Sequence, residues 1–548
     1  MSASSKKKMR KEQNAAKMTE RQLKEQADAK KLKITTIAFV AVIVVIALVF
    51  GVMQIISGVN RSGVLERNSV ALTVGEHELN AVTMNYYFFD AFDQEYQNMY
   101  STYSTSTNAY YLSQGLDLTK PMNEQVMNKE TGKTWADHYY EQAIKNARSD
   151  YAMYDLAMAA DYKLSEDMQA TIDTQLLYLG FYGSQYGSVD TYLKAKYGQG
   201  ASEKSYTEYL ITSVTAYAYY ADHAESLEYD DAARRAYEKD RYNEFSAYSF
   251  NTYFLSYTSF LPEGVTESAA SDEQKTAARD EASKVAAELA KATTLEEFDK
   301  AIGELEINKN ATTPVKSTEN KDVMHTTLYE EYAEWLSASD RKTGDIKDFP
   351  SESTAKDADG KETTVVNGHY LFMFIGRNDN LEPLGNVRHL LVKFTGGTTD
   401  ANGNTTYTLA EKEKAKEKAQ GFLDTYLAGT KDEASFEALV KEHSEDTSKT
   451  TGGLFEDIHP NSSYVVSFRD WATDPARVKG ETGLVESEYG YHVMYYVGDD
   501  ELTYRDFMIN NALTTEDMEK WHDEQVEKLT VSEGETKRIH LDLVYSAG

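Results

Sequence analysis

Val387-Arg388-His389-Leu390-Leu391-Val392-Lys393 and Tyr489-Gly490-Tyr491-His492-Val493-Met494-Tyr495-Tyr496-Val497 decide the fold of this chain. Both are short apolar runs with β-branched or aromatic residues, the pattern of a buried strand, and each holds one imidazole. Between them lie His443-Ser444-Glu445-Asp446, Gly452-Gly453-Leu454-Phe455, Phe468-Arg469-Asp470-Trp471 and Lys479-Gly480-Glu481-Thr482-Gly483-Leu484-Val485. A lone strand histidine is usually a satisfied core or surface residue. Two, in these surroundings and this order, point to a site.

The series resembles the parvulin-type peptidyl-prolyl isomerases. The resemblance implies an isomerase domain over 385–500, with His389 and His492 as paired imidazoles on neighbouring central strands under the pocket floor. It places Asp446 near the substrate carbonyl, where family members carry cysteine or aspartate. A carboxylate there either lowers double-bond character electrostatically or holds the histidines, and taken alone Asp446 reads equally as a turn or cap residue in SEDTSKTTGG. Leu454, Tyr464 and Phe468 are expected to line the proline pocket, Tyr464 departing from the family's usual methionine. Ser487 is expected beside the histidines as a hydroxyl partner. Trp471 and Phe436 read as core.

The segment 246–380 reads as an internal repeat of the same unit. Phe250-Asn251-Thr252-Tyr253-Phe254-Leu255 stands where Val387-Arg388-His389-Leu390-Leu391-Val392 stands later. A helical stretch follows in each copy, the second opening on a Thr408 to Glu411 capping-box pattern. Phe298 with Ile302 then matches Phe436 with Val440, each pair at i, i+4 on one helix face. Trp335 precedes Gly344, with Arg341 between, as Trp471 precedes Gly480, with Arg477 between. Gly368-His369-Tyr370-Leu371-Phe372-Met373-Phe374-Ile375-Gly376 parallels Gly490 to Gly498. The copies differ where the chemistry lies: Thr252 replaces His389, Tyr370 replaces His492, and no Ser-Glu-Asp follows Phe298. The first copy is expected to keep the fold and lack activity.

The rest of the chain frames these domains. Its 548 residues allow several cores, and the absence of cysteine excludes disulfides, thiolate zinc sites and cysteine nucleophiles. Formal net charge is −32, yet residues 1–33 carry 11 Lys/Arg against 4 Asp/Glu, so the body is more acidic still and no nucleic-acid partner is expected. Residues 34–57 form a long uncharged apolar run of about 36 Å as a helix, enough to cross about 30 Å of hydrocarbon. With the basic tail before it, the expectation is an uncleaved single-pass anchor, N-terminus cytoplasmic and the body extracytoplasmic.

The region 58–245 begins strand-like at VALTVGEHEL and continues as helices dense in tyrosine, among them Tyr178, Tyr182, Tyr186 and Tyr192. The phrase from Gly187 to Leu193, then Tyr197-Gly198 and Glu203 to Tyr206, resembles the N-terminal chaperone region of extracytoplasmic foldases of the PrsA and SurA kind. Residues 501–548 read as a helix and a strand, KRIHLDLVY, returning to complete that lobe. The fold expected is multidomain α+β: a single N-terminal transmembrane helix, a mainly helical chaperone lobe and two tandem parvulin-like α/β domains.

The function expected is a foldase that isomerises X-Pro bonds in unfolded or newly exported polypeptides. The competing classes are a non-enzymatic holdase and a structural scaffold of an envelope assembly. Oligomeric state is left open. No cofactor or metal is expected: the DANGN stretch at 400–404 has its glycine fourth rather than sixth for a calcium loop and reads as an Asn-Gly turn. No basic cluster follows Gly480, so selection of phosphorylated sites is not expected.

Overall fold

In the computed structural model, residues 4–8, 53, 58–356, 362–400 and 403–544 are described. The apolar run 34–57 read as an anchor lies outside them apart from Met53, as does most of the basic tail. Among the described residues, no helix is long and apolar enough to cross a membrane. The chain divides into two units, Met1–Leu227 with Asp517–Gly548, and Glu228–Glu516.

The first unit is mainly helical. Strands β1 (Val70–Val74) and β2 (His77–Asn80) form a hairpin, and the strand Val531–Glu533 pairs antiparallel with β1. Asn80 then caps α1 (Ala81–Tyr103) by accepting from Thr83 N. The inner face of α1 supplies Tyr86, Tyr87, Phe88 and Phe92 to a core shared with α2 (Trp135–Ala159) and α4 (Glu203–Glu225). Tyrosine serves here because its hydroxyl finds a partner while its ring is buried: Tyr87 donates to Asp150 and Tyr209 to Asp90. The tyrosines named in the sequence behave differently. Tyr178, Tyr182 and Tyr186, on or just past α3 (Glu166–Gln185), are exposed together with Leu177 and Phe181.

The described part of KRIHLDLVY, 537–544, is not a strand. Thr536–Arg538 is a turn of 3₁₀ helix; beyond it Ile539 and Leu543 are buried in the core, and His540 N donates to Asn85 Oδ1 instead of to a neighbouring strand. The alternation of apolar residues records which side chains are buried, not a ladder.

The second unit contains two four-stranded sheets of the same construction. In the first, β3 (Ala247–Ser256) leads through helices α5 (Asp272–Leu289) and α6 (Leu295–Glu304) to β4 (Thr318–Met324), then α7 (Glu330–Ser337), β5 (Ile346–Lys356) and β6 (Glu362–Asn378). In the second, β7 (Pro383–Lys393) leads through α8 (Leu409–Ala428) and α9 (Glu433–His443) to β8 (Leu454–Ile458), then α10 (Val466–Ala472), β9 (Thr482–Glu486) and β10 (Gly490–Thr503). The strand orders are β4-β3-β6-β5 and β8-β7-β10-β9.

Registers agree as well as order. Thr252 lies opposite Phe372 and Phe254 opposite Tyr370; His389 lies opposite Met494 and Leu391 opposite His492. Each central pair slips at the same place, from Phe250/Phe374 to Ser249/Gly376 and from Val387/Tyr496 to Asn386/Gly498, and the second pair slips again between Asp499 and Thr503. A one-residue error in either strand would turn every side chain to the wrong face, so this agreement constrains both copies throughout.

The same side chains hold the corners. Arg341 and Arg477 each lie 4.4 Å over a tryptophan, Trp335 and Trp471, and each donates from Nε to that tryptophan's carbonyl at 3.1 Å. Gly344 N and Gly480 N donate to Phe374 O and Tyr496 O at 2.8 Å. Thr408 accepts from Glu411 N while Glu411 accepts from Thr408 N, closing the capping box of α8; Ser271 and Gln274 do the same for α5. Helices cover one face of each sheet, with Phe298 and Ile302, or Phe436 and Val440, fully buried against it.

Arg505, at the start of α11 (Tyr504–Lys528), is fully buried. Its Nε donates to Glu238 at 2.6 Å, and its other nitrogens reach the carbonyls of Tyr242, Phe245 and Asp379. It ties the segments that flank the first sheet to the helix that follows the second.

Candidate active site

The face of the second sheet opposite α8 and α9, on which α10 packs through Phe468 and Ala472, carries the two histidines. Alternation along β7 turns Val387, His389 and Leu391 to this face and Arg388 and Leu390 to the helices. Arg388 accordingly bonds Glu433 at 2.9 Å and lies 3.3 Å from Glu437, both on α9. On β10 the same face shows His492, Met494 and Tyr496. The diagonal offset brings His389 Nδ1 to 2.9 Å from His492 Nδ1, with the two residues 3% and 5% exposed.

A chain of polar atoms extends from this pair at both ends. His492 Nε2 is 2.8 Å from Ser487 Oγ. His389 Nε2 is 3.3 Å from Ser448 Oγ and 3.6 Å from Asp446 Oδ1. Asp446 Oδ1 accepts from Ser448 Oγ at 2.6 Å and from Ser448 N at 2.9 Å. Asp446 is therefore both the cap of the short turn Thr447–Thr451 and a partner of the histidine, so the two sequence readings of it coexist.

One proton arrangement satisfies every atom. Ser448 donates to Asp446, His389 donates from Nε2 toward Ser448 and Asp446, His492 donates from Nδ1 to His389 Nδ1, and Ser487 donates to His492 Nε2. Both rings are then neutral, and only one hydrogen occupies the space between the two Nδ1 atoms. Burial, and then the neighbouring His389, pushes His492 down from 6.5 to about 4. His389 and the Ser448 hydrogen bonds hold Asp446 well below the usual carboxylate range, so it is charged at neutral pH. A negative charge is thus fixed at one end of an otherwise neutral network.

Above the histidines stands an aromatic cluster. Phe455 and Phe468 meet the His389 ring edge-on at 5.0 and 5.2 Å, and Phe468 lies 5.5 Å from His492. Tyr464 is 5.4 Å from Phe455 and 5.6 Å from Phe468, and it is partly exposed. These rings form a partly exposed apolar cluster over the imidazoles, with Asp446 on the far side of His389.

Leu454 is corrected by the register. It pairs with Arg388, on the helix side of the sheet, whereas Phe455 pairs with Val387 on the histidine side. The pocket residue is Phe455. Of the other residues expected from sequence, His389, Asp446, His492, Tyr464, Phe468 and Ser487 are all within this cluster. Ser448 was missed; the Asp-x-Ser spacing, in which an aspartate caps the turn containing a serine two residues on, is the signal that would have found it.

The loop is held against the histidine by glycine. Gly453 O accepts from His389 N at 2.9 Å, and a Cβ on Gly453, at φ +67°, would stand 2.2 Å from His389 O. In the first copy the corresponding face has no such network. Thr252 accepts from Asn320 at 3.1 Å, Tyr370 packs on Phe254 at 4.4 Å, and Tyr332 lies against Phe349 and Phe372 at 4.7 and 4.6 Å.

Residues 370–498 match the family model of the PPIC-type PPIASE domain. No curated protein matches the chain. Among solved structures, the peptidylprolyl isomerase PrsA of Bacillus cereus is 25% identical over 27% of this chain and 50% of its own, with a TM-score of 0.17. PrsA of Bacillus subtilis is 13% identical over 72% of this chain and 86% of its own, at 0.25. A structure reported for two SurA-like chaperones of Campylobacter jejuni, PEB4 and Cj1289, is 22% identical over 27% and 53%, at 0.14. The chain thus spans half the length of the Bacillus cereus structure it matches. The histidine pair and its aromatic cover lie within 370–498, the segment that matches that family model, and the chain carries a parvulin-type (PPIC-type) peptidyl-prolyl isomerase domain there.

Proposed function

We propose that this chain is an extracytoplasmic foldase, held in the membrane by residues 34–57, that binds unfolded exported polypeptides and isomerises their X-Pro bonds at the site of His389, Asp446 and His492. The observation that carries the reading is the continuous network from Asp446 through Ser448, His389 and His492 to Ser487, lying under the ring cluster of Phe455, Tyr464 and Phe468.

Rotation about an X-Pro bond meets a barrier of about 18–20 kcal/mol from amide resonance, and no bond to another atom has to form or break. A thousandfold acceleration needs about 4 kcal/mol of preference for the twisted amide. The aromatic cluster holds the proline ring while the rest of the peptide turns. In the twisted state the amide nitrogen becomes pyramidal and the carbonyl carbon more electrophilic; the fixed carboxylate of Asp446 favours that charge distribution over the planar one. The neutral, buried histidines keep the floor in one position. They bind no proton from the substrate.

The first copy, 246–380, is read as a parvulin-like domain without an isomerase site, and 58–245 with 501–548 as the chaperone lobe. The exposed Leu177, Tyr178, Phe181, Tyr182 and Tyr186 favour client binding there and also support a second reading, a holdase in which both sheets serve only as platforms. The cis-to-trans rate of a short unphosphorylated X-Pro peptide separates the two. Acceleration by the full chain that drops at least tenfold in Asp446→Ala and His492→Ala, with the fold intact, supports the isomerase. No acceleration by the folded wild-type chain refutes it and leaves the holdase.

A further inference from the structure

The first copy has lost the histidine pair on one face of its sheet, and on the other face it holds a different constellation. His369, on β6, points toward α5 and is 4% exposed. Its Nδ1 lies 2.7 Å from Asp348 Oδ2, on β5, and its Nε2 lies 3.1 Å from Ser283 Oγ, on α5. Ser283 is exposed at the helix surface. The second copy has none of the three: Tyr491 stands at the register position of His369, and its hydroxyl bonds Glu486. The constellation is therefore not a relic of the shared scaffold.

We infer that Ser283, His369 and Asp348 form a nucleophilic serine site that accepts an acyl group from small carboxylic esters. The order of contacts is the one nucleophile activation requires: a hydroxyl on one imidazole nitrogen and a carboxylate on the other. Asp348 fixes the tautomer by accepting Nδ1–H, which leaves the Nε2 lone pair facing the serine hydroxyl. The second oxygen of Asp348 is buried without a partner among the described residues, an arrangement that is costly when it serves only stability. Its charge is concentrated on His369, the group that must become imidazolium during attack.

The step balances without a further reagent. Ser283 Oγ forms a bond to the ester carbonyl carbon while its proton passes to His369 Nε2. Collapse of the adduct breaks the carbon–alkoxide bond, and His369 returns that proton to the leaving alkoxide. Water, deprotonated by the same nitrogen, then releases the carboxylic acid and the free serine. Arg279, one helical turn earlier on the same helix, is held by Val366 O, to which its Nε donates at 3.0 Å, and by the Tyr257 ring 4.4 Å below its guanidinium. Ser283 also donates to Arg279 O at 2.9 Å in the resting geometry, a bond that its hydroxyl leaves as it turns to His369.

The test is covalent labelling of the full chain. A fluorophosphonate forms an Oγ–P bond with loss of fluoride, and peptide mapping reports which serine reacted. The expected result is a single phosphonylated peptide containing Ser283, lost in Ser283→Ala and slowed at least tenfold in His369→Gln and in Asp348→Asn. Para-nitrophenyl acetate should give a burst of one acyl group per chain, absent in Ser283→Ala. If the histidine variant does not fold, the wild-type map and Ser283→Ala decide alone. Labelling spread over many serines, labelling that persists in Ser283→Ala, or none above that of the urea-unfolded chain overturns the proposal.

Discussion

Protonation of His492 tests the electrostatic account of the isomerase site. The imidazole is 5% exposed, and its folded pKa is depressed from 6.5 to about 4, by burial first and by His389 second. A group whose folded pKa lies below its unfolded value binds fewer protons when folded. Stability is therefore fully present above about pH 6.5 and is lost as pH falls, with the loss complete below about 4. At about 1.4 kcal/mol per unit the two limits differ by about 3 kcal/mol. The assay is nuclear magnetic resonance of the full chain labelled isotopically at histidine, titrated downward from neutral pH. The resonance missing in His492→Asn should have its midpoint near 4, and denaturant unfolding of the domain should lose about 3 kcal/mol more in the wild type than in the variant between neutral pH and pH 4. His325 and His459, also depressed by burial, contribute equally to both proteins and cancel in the difference. A midpoint at 6.5 or above, or equal losses in the two proteins, refutes the neutral-pair account.

Three further perturbations follow from the geometry. Ser448→Ala removes the hydroxyl that bonds Asp446 at 2.6 Å and approaches His389, so the isomerisation rate should fall about tenfold, the effect of about 1.4 kcal/mol, with the melting temperature nearly unchanged. Gly453→Ala sets a methyl group 2.2 Å from His389 O at a positive φ; it should destabilise the domain by more than about 2 kcal/mol in denaturant unfolding and lower the isomerase rate with it. Arg505→Met leaves the buried carboxylate of Glu238 with Arg235 as its remaining cation and takes one donor from each of three carbonyls, which should cost about 3 kcal/mol and speed proteolysis of the second unit, while Glu238→Gln with Arg505→Met together should cost less.

The repeat was legible because its signals are spread along the chain. The Trp-Arg-Gly spacing, the apolar helix pair and the glycine that ends the last strand each recur, and each has a physical role common to both copies: a cation stacked on an indole, a buried helix seam, a register slip. Leu454 failed for the opposite reason. Sequence order placed it in the Gly-Gly-Leu-Phe motif, but only strand pairing decides which of two adjacent apolar residues faces the histidines. Ser448 was passed over because a serine in a turn usually bonds its own backbone; its second partner, His389, is 59 residues away in sequence. KRIHLDLVY misled because alternate burial also arises when an irregular tail lays every other side chain into a core. The Ser283, His369 and Asp348 constellation was invisible for the same reason as Ser448, since its members come from three elements that share no motif.

Comparison of the copies shows which constraints travel with this fold. The central register, its slip before the strand glycine and the arginine stacked on tryptophan recur in the two, because a change in any of them moves a whole strand. The side chains on the histidine face of the sheet differ, because each can be exchanged alone. On that face the second copy supports two buried imidazoles through the loop Asp446–Gly453, whose Gly453 lets the backbone reach His389 and whose aspartate supplies a fixed charge. The first copy, with Thr252 and Tyr370 at the two histidine positions, has Tyr332, Phe349 and Phe372 packed on one another over the same ground. Restoring histidine at Thr252 and Tyr370 would thus yield imidazoles with neither carboxylate nor floor. Activity in this architecture depends on the loop and the pair together, and a first copy bearing only the pair should remain inactive toward X-Pro peptides.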